Sequence, residues 1–306
     1  MSGPAVAVGA EVAAALEAGR PVVALESTIF SELGLPGPAN REALDRVLAT
    51  VGAGGAVPAL TAVLAGLAVV GVDPAEHARI CGPATKVAAR DLGPAIGQRW
   101  DYGATTVSAS VTLAAAAGVE VFSTGGIGGV HQGWTTTGDV SADLPALADH
   151  QVITVTAGAK VFLDLPATLE YLETASVPVI GWRCDEFPAF HAPSSGLPLT
   201  TRADSAAEVA AIARAHWALG GGGIVVAVPV PEGDGIPIDE LQELVDRALA
   251  ASSSDQVSGA AVTPAVLARM GELSGGRTVT ANLALADNNA RVAAEIANAL
   301  AAMPVR

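Results

Sequence analysis

The chain has 306 residues, 51% of them apolar and only 15% charged, the composition of a well-buried globular protein and not of a disordered one. Its net charge of −15 leaves no basic footprint for duplex nucleic acid, although a few cations and backbone amides can still hold a small anion locally. No apolar run approaches the roughly 20 residues of a membrane span, the start lacks a basic n-region, and Cys81 and Cys184 build no disulfide framework. A cytoplasmic protein with no membrane and no nucleic-acid partner is expected.

In chain order, the pattern predicts a strand over 21–27, helices over 40–50, 58–70 and 105–117, then a strand over 119–124. A helix over 142–149, a strand over 151–156, a helix over 164–174 and a strand over 177–182 follow. Next come a helix over 205–219, a strand over 223–229 and helices over 237–251, 263–274 and from about 281 to 302. The strands are near-continuous β-branched runs, as expected of strands buried on both faces, and their alternation with helices predicts an α/β fold with a mostly parallel central sheet. The glycine run 220–223 reads as a helix cap and tight turn. The polar stretch 252–255 reads as a surface loop, so residues 1–306 read as one domain with a helical C-terminal extension.

Of the 16 Lys and Arg residues only two are lysines, Lys86 and Lys160. Arg serves most surface roles of Lys, but it cannot lose its proton near neutrality and cannot form an imine, so the two lysines are candidates for amine chemistry. Ligands of parallel α/β sheets bind at the carboxyl ends of strands. Those ends carry Glu26, the turn Thr124-Gly125-Gly126-Ile127-Gly128-Gly129-Val130-His131, and Lys160. Taken alone, Glu26 also fits a helix cap and Lys160 an ion pair, and the glycine turn is neither a dinucleotide fingerprint nor a P-loop. Asp139 and Asp143 have the spacing of one helix face, while an Asp or Ser there also suits an N-cap. The five histidines lack zinc-ligand spacing, whereas a hard divalent cation held by one Asp and waters is compatible.

The chain resembles the pseudouridine-5′-phosphate glycosidase family, also known from indigoidine-pathway proteins. The resemblance is carried over nearly its whole length by ALEST at 24–28, PGPAN at 36–40, KVAARDL at 86–92, GATTV at 103–107 and STGGIGGVH at 123–131. It continues through DVSADL at 139–144, AGAK at 157–160, LDLPATLEYLET at 163–174 and NN at 288–289. It implies a three-layer α/β/α fold, a homotrimer, and an enzyme acting at C1 of ribose 5-phosphate. It further implies Lys160 as the imine-forming lysine, Glu26 as proton donor and Asp139 as ligand of Mn²⁺ or another hard divalent cation. Substrate contacts are expected at Lys86, Val107, Ser141, Ala142 and Asp143, with Thr124, His131 and Asn289 as further candidates. A C-glycoside has no oxygen leaving group, so the usual pair of carboxylates does not suffice. An imine at C1 supplies the missing electron sink, and the lysine must be neutral to attack.

Four positions depart from the family pattern. Gly37 stands in place of a Tyr, Gly138 in place of a Phe, and the segment before Asp139 has Gln132 and Trp134 in place of an Arg and an Ala. Space where a uracil-sized base is normally packed, with Trp134 as a stacking surface, favours the family's C-ribosylating branch, as in alnumycin-type polyketide biosynthesis. The expected function is therefore a C-glycosynthase joining ribose 5-phosphate to an aromatic acceptor. The alternatives are a pseudouridine-5′-phosphate glycosidase releasing uracil and a non-catalytic sugar-phosphate binding protein.

Overall fold

A computed structural model describes residues 6–254 and 262–303. Its centre is a run of parallel strands in the order Val57–Leu64, Val22–Leu25, Val121–Ser123, Ile153–Thr156, Ile224–Ala227, Val179–Trp182 and Thr201–Ala203. One row of the sheet passes through Ala59, Ala24, Phe122, Thr154, Val225 and Val179. The four middle strands are buried at every residue. This is why their sequences lack alternation.

The segment 58–70, expected as a helix, is instead a β-hairpin. Val57–Leu64 and Leu67–Val70 pair antiparallel, with Leu64 opposite Leu67. The two-residue turn places Ala65 at φ 50° and Gly66 at φ 79°, and two positive φ values match the twist of a tight hairpin. Five of the eight Val57–Leu64 residues form an uninterrupted buried run, which removes the period-2 signal. The antiparallel edge continues through Tyr102–Thr105, which pairs with Val57–Leu64 on one side and, in parallel, with Thr85–Val87 on the other. That last pairing sets Lys86 beside Ala104. A buried hydroxyl cluster pins the edge to the central sheet: Thr61 donates to the Leu25 carbonyl (2.9 Å) and Thr105 to the Thr61 carbonyl (2.8 Å), with the Ser27 hydroxyl 3.1 Å from that of Thr105.

Helices cover both faces, making three layers. Val107–Ala117, Asp143–Asp149 and Leu165–Thr174 form one covering; Ala39–Ala53, Ala206–Ala218 and Arg277–Ala301 form the other. The helical C-terminal part comprises Ile238–Ser254, Val262–Leu273 and Arg277–Ala301. Ile238–Ser254 runs through residues expected as loop, and residue 255 lies outside the described residues. The last helix buries Leu285, Asn289, Val292 and Ile296 against the strands Val22–Leu25, Val121–Ser123 and Ile153–Thr156. The glycine run 220–223 enters the Ile224–Ala227 strand at its amino end, and a Cβ at Gly222 would lie 1.7 Å from the Ala148 carbonyl oxygen. Close packing accounts for Gly221, Gly222 and Gly223, while Gly220, at φ 83°, follows the helix C-cap Leu219 as the expected capping glycine.

Candidate active site

Three adjacent parallel strands deliver Glu26, Thr124 and Lys160 to one rim. Glu26 follows Val22–Leu25, Thr124 follows Val121–Ser123, and Lys160 lies four residues beyond Ile153–Thr156. Glu26 is 8% exposed, and the Thr124 hydroxyl donates to its Oε1. Burial pushes the Glu26 carboxyl above its ordinary range, against the opposing pull of Lys160 and the Thr124 bond; Asp143 raises it further and Lys86 lowers it. Lys160 Nζ donates to the Gly126 carbonyl at 2.7 Å. The loop carrying Lys160 is held close to its neighbour: Gly158 is at φ 83°, and a Cβ there would lie 2.1 Å from the Pro188 carbonyl oxygen. Only glycine accepts both conditions.

Lys86 faces this rim from the antiparallel edge. Burial lowers its ammonium, the Lys160 charge lowers it further, and Asp143 and Glu26 oppose the change. His131 is lowered mainly by burial, with Lys86 and Lys160 adding to the effect and Asp139 opposing it. Asn289 lies fully buried beneath the glycine turn, its Nδ2 donating to the carbonyls of Thr124 (2.8 Å) and Gly125 (3.3 Å). Val107 opens the Val107–Ala117 helix as a buried residue, and its amide is one of the first-turn donors that has no partner within the helix. Ser141 and Ala142 precede the Asp143–Asp149 helix, and Ser141 Oγ accepts from the Asp143 amide (3.2 Å).

Two expectations change. Asp139 and Asp143 do not share a helix face: Gly138, at φ 67°, ends the short helix Trp134–Thr137, and a separate helix starts at Asp143. The Asp143 carboxylate is also occupied, accepting the Ser108 amide on Oδ1 (2.9 Å) and the Gly128 amide on Oδ2 (2.8 Å). The Ser141 amide is likewise taken, donating to the Gly129 carbonyl (2.9 Å), which leaves the Ser141 hydroxyl proton and the Ala142 amide as the groups of this stretch that could meet a substrate. Sequence reasoning missed Ser108; its place in the first turn after a strand end was the available signal. It also missed Phe190, whose ring would lie 2.5 Å from a Cβ on Gly126 and whose φ of 61° left no trace in the sequence.

Asp139 lies on an exposed run, residues 132–139, its side chain 56% exposed and its Oδ2 3.8 Å from His131 Nδ1. Among the described residues no group of three His, Cys, Asp or Glu side chains could hold a metal ion. A cation at Asp139 would thus draw most of its ligands from water or substrate, which suits a hard divalent ion and not zinc. Trp134 is 41% exposed between Gly133 and Gly138, both at positive φ, and Gln132 donates to the Leu163 carbonyl (3.2 Å). A Cβ at Gly138 would meet nothing within 4 Å, and one at Gly37 only Asn40 Oδ1 at 3.7 Å.

The sequence profile described as "Indigoidine synthase A like protein" matches residues 11–299. The chain belongs to this family. It is 50% identical to a pseudouridine-5′-phosphate glycosidase of Roseiflexus sp. over 304 residues, which cover 98% of this chain and 97% of that protein. A glycosidase of the same name from Methylobacterium nodulans is 50% identical over 294 residues, covering 95% and 86% of the two chains. Among solved structures, prealnumycin C-glycosynthase AlnA in complex with ribulose 5-phosphate matches with a TM-score of 0.88 at 36% identity. An indigoidine synthase A-like protein from Thermotoga maritima matches with a TM-score of 0.85 at 34% identity. Each structural match covers 97% of both chains. This indigoidine synthase A-like chain carries its two lysines and the buried carboxylates of Glu26 and Asp143 on a single rim of that shared fold. Among its described residues no helix is long and apolar enough to cross a membrane.

Proposed function

We propose that this enzyme is a pseudouridine-5′-phosphate glycosidase, cleaving the bond between ribose C1 and the uracil carbon. The observation that carries this reading is the 50% identity to glycosidases of that name along almost the entire chain. It displaces the C-glycosynthase favoured by Gly37, Gly138 and Trp134. In the proposed chemistry Glu26, whose carboxyl burial pushes toward the protonated form, donates a proton to the ring oxygen as the ribose opens. Lys160 Nζ then bonds C1. The C–C bond breaks with its electron pair leaving on the uracil carbon, which takes up a proton. The imine left on Lys160 adds water, giving ribose 5-phosphate and the free amine. Lys86, the Val107 amide at a helix N-terminus and the Ala142 amide would hold the phosphate. Asp139, with water, would hold Mn²⁺ or a similar ion, which would supply positive charge to an anionic substrate. A homotrimer is the assembly the family resemblance implies.

The test is uracil release from pseudouridine 5′-phosphate, with borohydride trapping of ribose 5-phosphate on the protein. Lys160→Ala should abolish both, and Glu26→Gln should slow release by about 10²–10⁴-fold. Full activity in Lys160→Ala would overturn the reading. A second reading rests on the likeness to AlnA and the exposed Trp134: adduct formation without uracil release, and coupling to an aromatic acceptor, would select C-glycosynthesis.

A further inference from the structure

Beyond the strand ends, backbone bonds join the glycine turn to the loop that carries Lys160. The Ala157 amide donates to the Gly125 carbonyl (2.9 Å), the Ile127 amide to the Gly158 carbonyl (3.0 Å) and the Lys160 amide to the Ile127 carbonyl (3.1 Å). A third segment, the turn at 189–192, lies against that loop, with the Phe190 amide donating to the Ala157 carbonyl (3.0 Å). The Phe190 ring packs against the glycine turn as well. Its Cδ2 and Cε2 lie 2.5 and 2.6 Å from where a Cβ on Gly126 would stand, and Cε2 lies 3.6 Å from a Cβ on Gly125. The residue is 3% exposed. The Gly126 carbonyl is the group that accepts from Lys160 Nζ (2.7 Å). Phe190 therefore holds the amine's loop with its backbone, and with its ring the residue that orients the amine.

The backbone of Phe190 points the same way. Its φ of 61° is one that glycine adopts freely and that a residue with a Cβ adopts only under strain. The conformation is imposed by the paired bonds between Ala189 and Ala192 (3.0 and 3.2 Å) and by the Ile236 amide, which donates to the His191 carbonyl (2.8 Å). A phenylalanine kept where the chain favours glycine adds the ring and its contact with Gly126. We infer that Phe190 is a positioning residue for Lys160: its ring wedges against Gly126 and fixes the carbonyl that keeps Nζ in one orientation. The role of that amine in turnover rests on the glycosidase reading above, but the contact that orients it does not.

Phe190→Gly removes the ring and relieves the backbone, so the folded variant tests the ring alone. Uracil release, and the rate at which ribose 5-phosphate forms a borohydride-trapped adduct on Lys160, should both fall about 10²-fold, the effect of a misplacement of about 1 Å. The Michaelis constant should change little. Gly126→Ala should lower both rates in the same way, because its methyl meets the ring edge. The double variant Gly126→Ala/Phe190→Gly should recover most of the loss, since the methyl then takes space the ring has left. A ring that only fills the core predicts a less stable Phe190→Gly with wild-type rates, and no recovery in the double variant. Either result overturns the inference, and wild-type rates in Gly126→Ala do so even if Phe190→Gly fails to fold. With only two lysines in the chain, ¹³Cε-lysine labelling reads the orientation without turnover, and Lys86→Arg assigns the two signals by removing one. The two Cε protons of Lys160 should be inequivalent in the wild type and averaged in Phe190→Gly; averaging already present in the wild type refutes the inference. A wild type that releases no uracil and forms no adduct, yet shows this averaging once the ring is lost, would remove the glycosidase reading and leave this one standing.

Discussion

His191 is fully buried, packed against the Phe190 ring at 4.4 Å, and among the described residues neither ring nitrogen has a hydrogen-bond partner. Burial drives its pKa down from 6.5 to about 4, and the neighbouring Asn282 offsets only part of the shift. The folded value lies below the unfolded one, so the unfolded chain takes up the proton first as the pH falls. Stability is therefore complete above about pH 6.5 and is lost progressively down to about 4, by about 3 kcal/mol in all. Urea unfolding at pH 7 and pH 4.5 should show wild type losing about 2 kcal/mol more than His191→Leu. Equal losses in the two proteins would remove His191 as the cause. Nothing in the sequence around His191 announced this, because burial of a polar ring is decided by tertiary packing. The scarcity of lysine, by contrast, singled out Lys86 and Lys160 before any coordinates, because it depends on residue type alone. The orientation of Asp143 was hidden for the same reason as His191: its spacing from Asp139 pointed to a shared face, but residues 139–141 run extended against 129–131 and the helix starts only at Asp143.

Among the elements, the five parallel strands were legible because each is an apolar run of strand length ending at a turn. The edge was not. Thr85–Val87 and Thr201–Ala203 are three residues each, and the hairpin hides inside a continuous apolar stretch. The one local signal was the dipeptide Ala65-Gly66, and the structure shows why the second position is glycine. At φ 79° a Cβ on Gly66 would also lie 2.7 Å from the Arg99 Cα, so backbone would have to move. Gly66→Ala should destabilise the fold by about 2–3 kcal/mol, whereas Ala65→Gly, which relieves a positive φ, should be within about 1 kcal/mol of wild type. Denaturant titration of the pair is decisive: equal stabilities would mean that the turn carries no such constraint. The hairpin matters to the site because Val57–Leu64 positions Tyr102–Thr105, and that strand in turn positions Lys86.

At the scale of the whole molecule, the rim depends on all three layers. One covering contributes the helix starts at Val107 and Asp143; the other, through Arg277–Ala301, holds the glycine turn from below. Asn289 is the point of contact, its amide donating to the Thr124 carbonyl and, at longer range, to the Gly125 carbonyl, which also accepts the Ala157 amide (2.9 Å). Asn289→Ala removes these bonds and should cost about 2–3 kcal/mol of stability. If the helix layer only supports the fold, catalysis by the remaining folded protein is unchanged. The geometry argues for more. The Thr124 carbonyl held by Asn289 belongs to the residue whose hydroxyl donates to Glu26, and the next carbonyl but one, that of Gly126, accepts from Lys160. Loosening the turn should therefore move proton donor and amine together, lowering kcat at least tenfold at temperatures where the variant is fully folded, with a smaller effect on the Michaelis constant. Circular dichroism establishes the folded fraction and uracil release gives the rate. A variant that is less stable but turns over at the wild-type rate would separate the C-terminal layer from the chemistry.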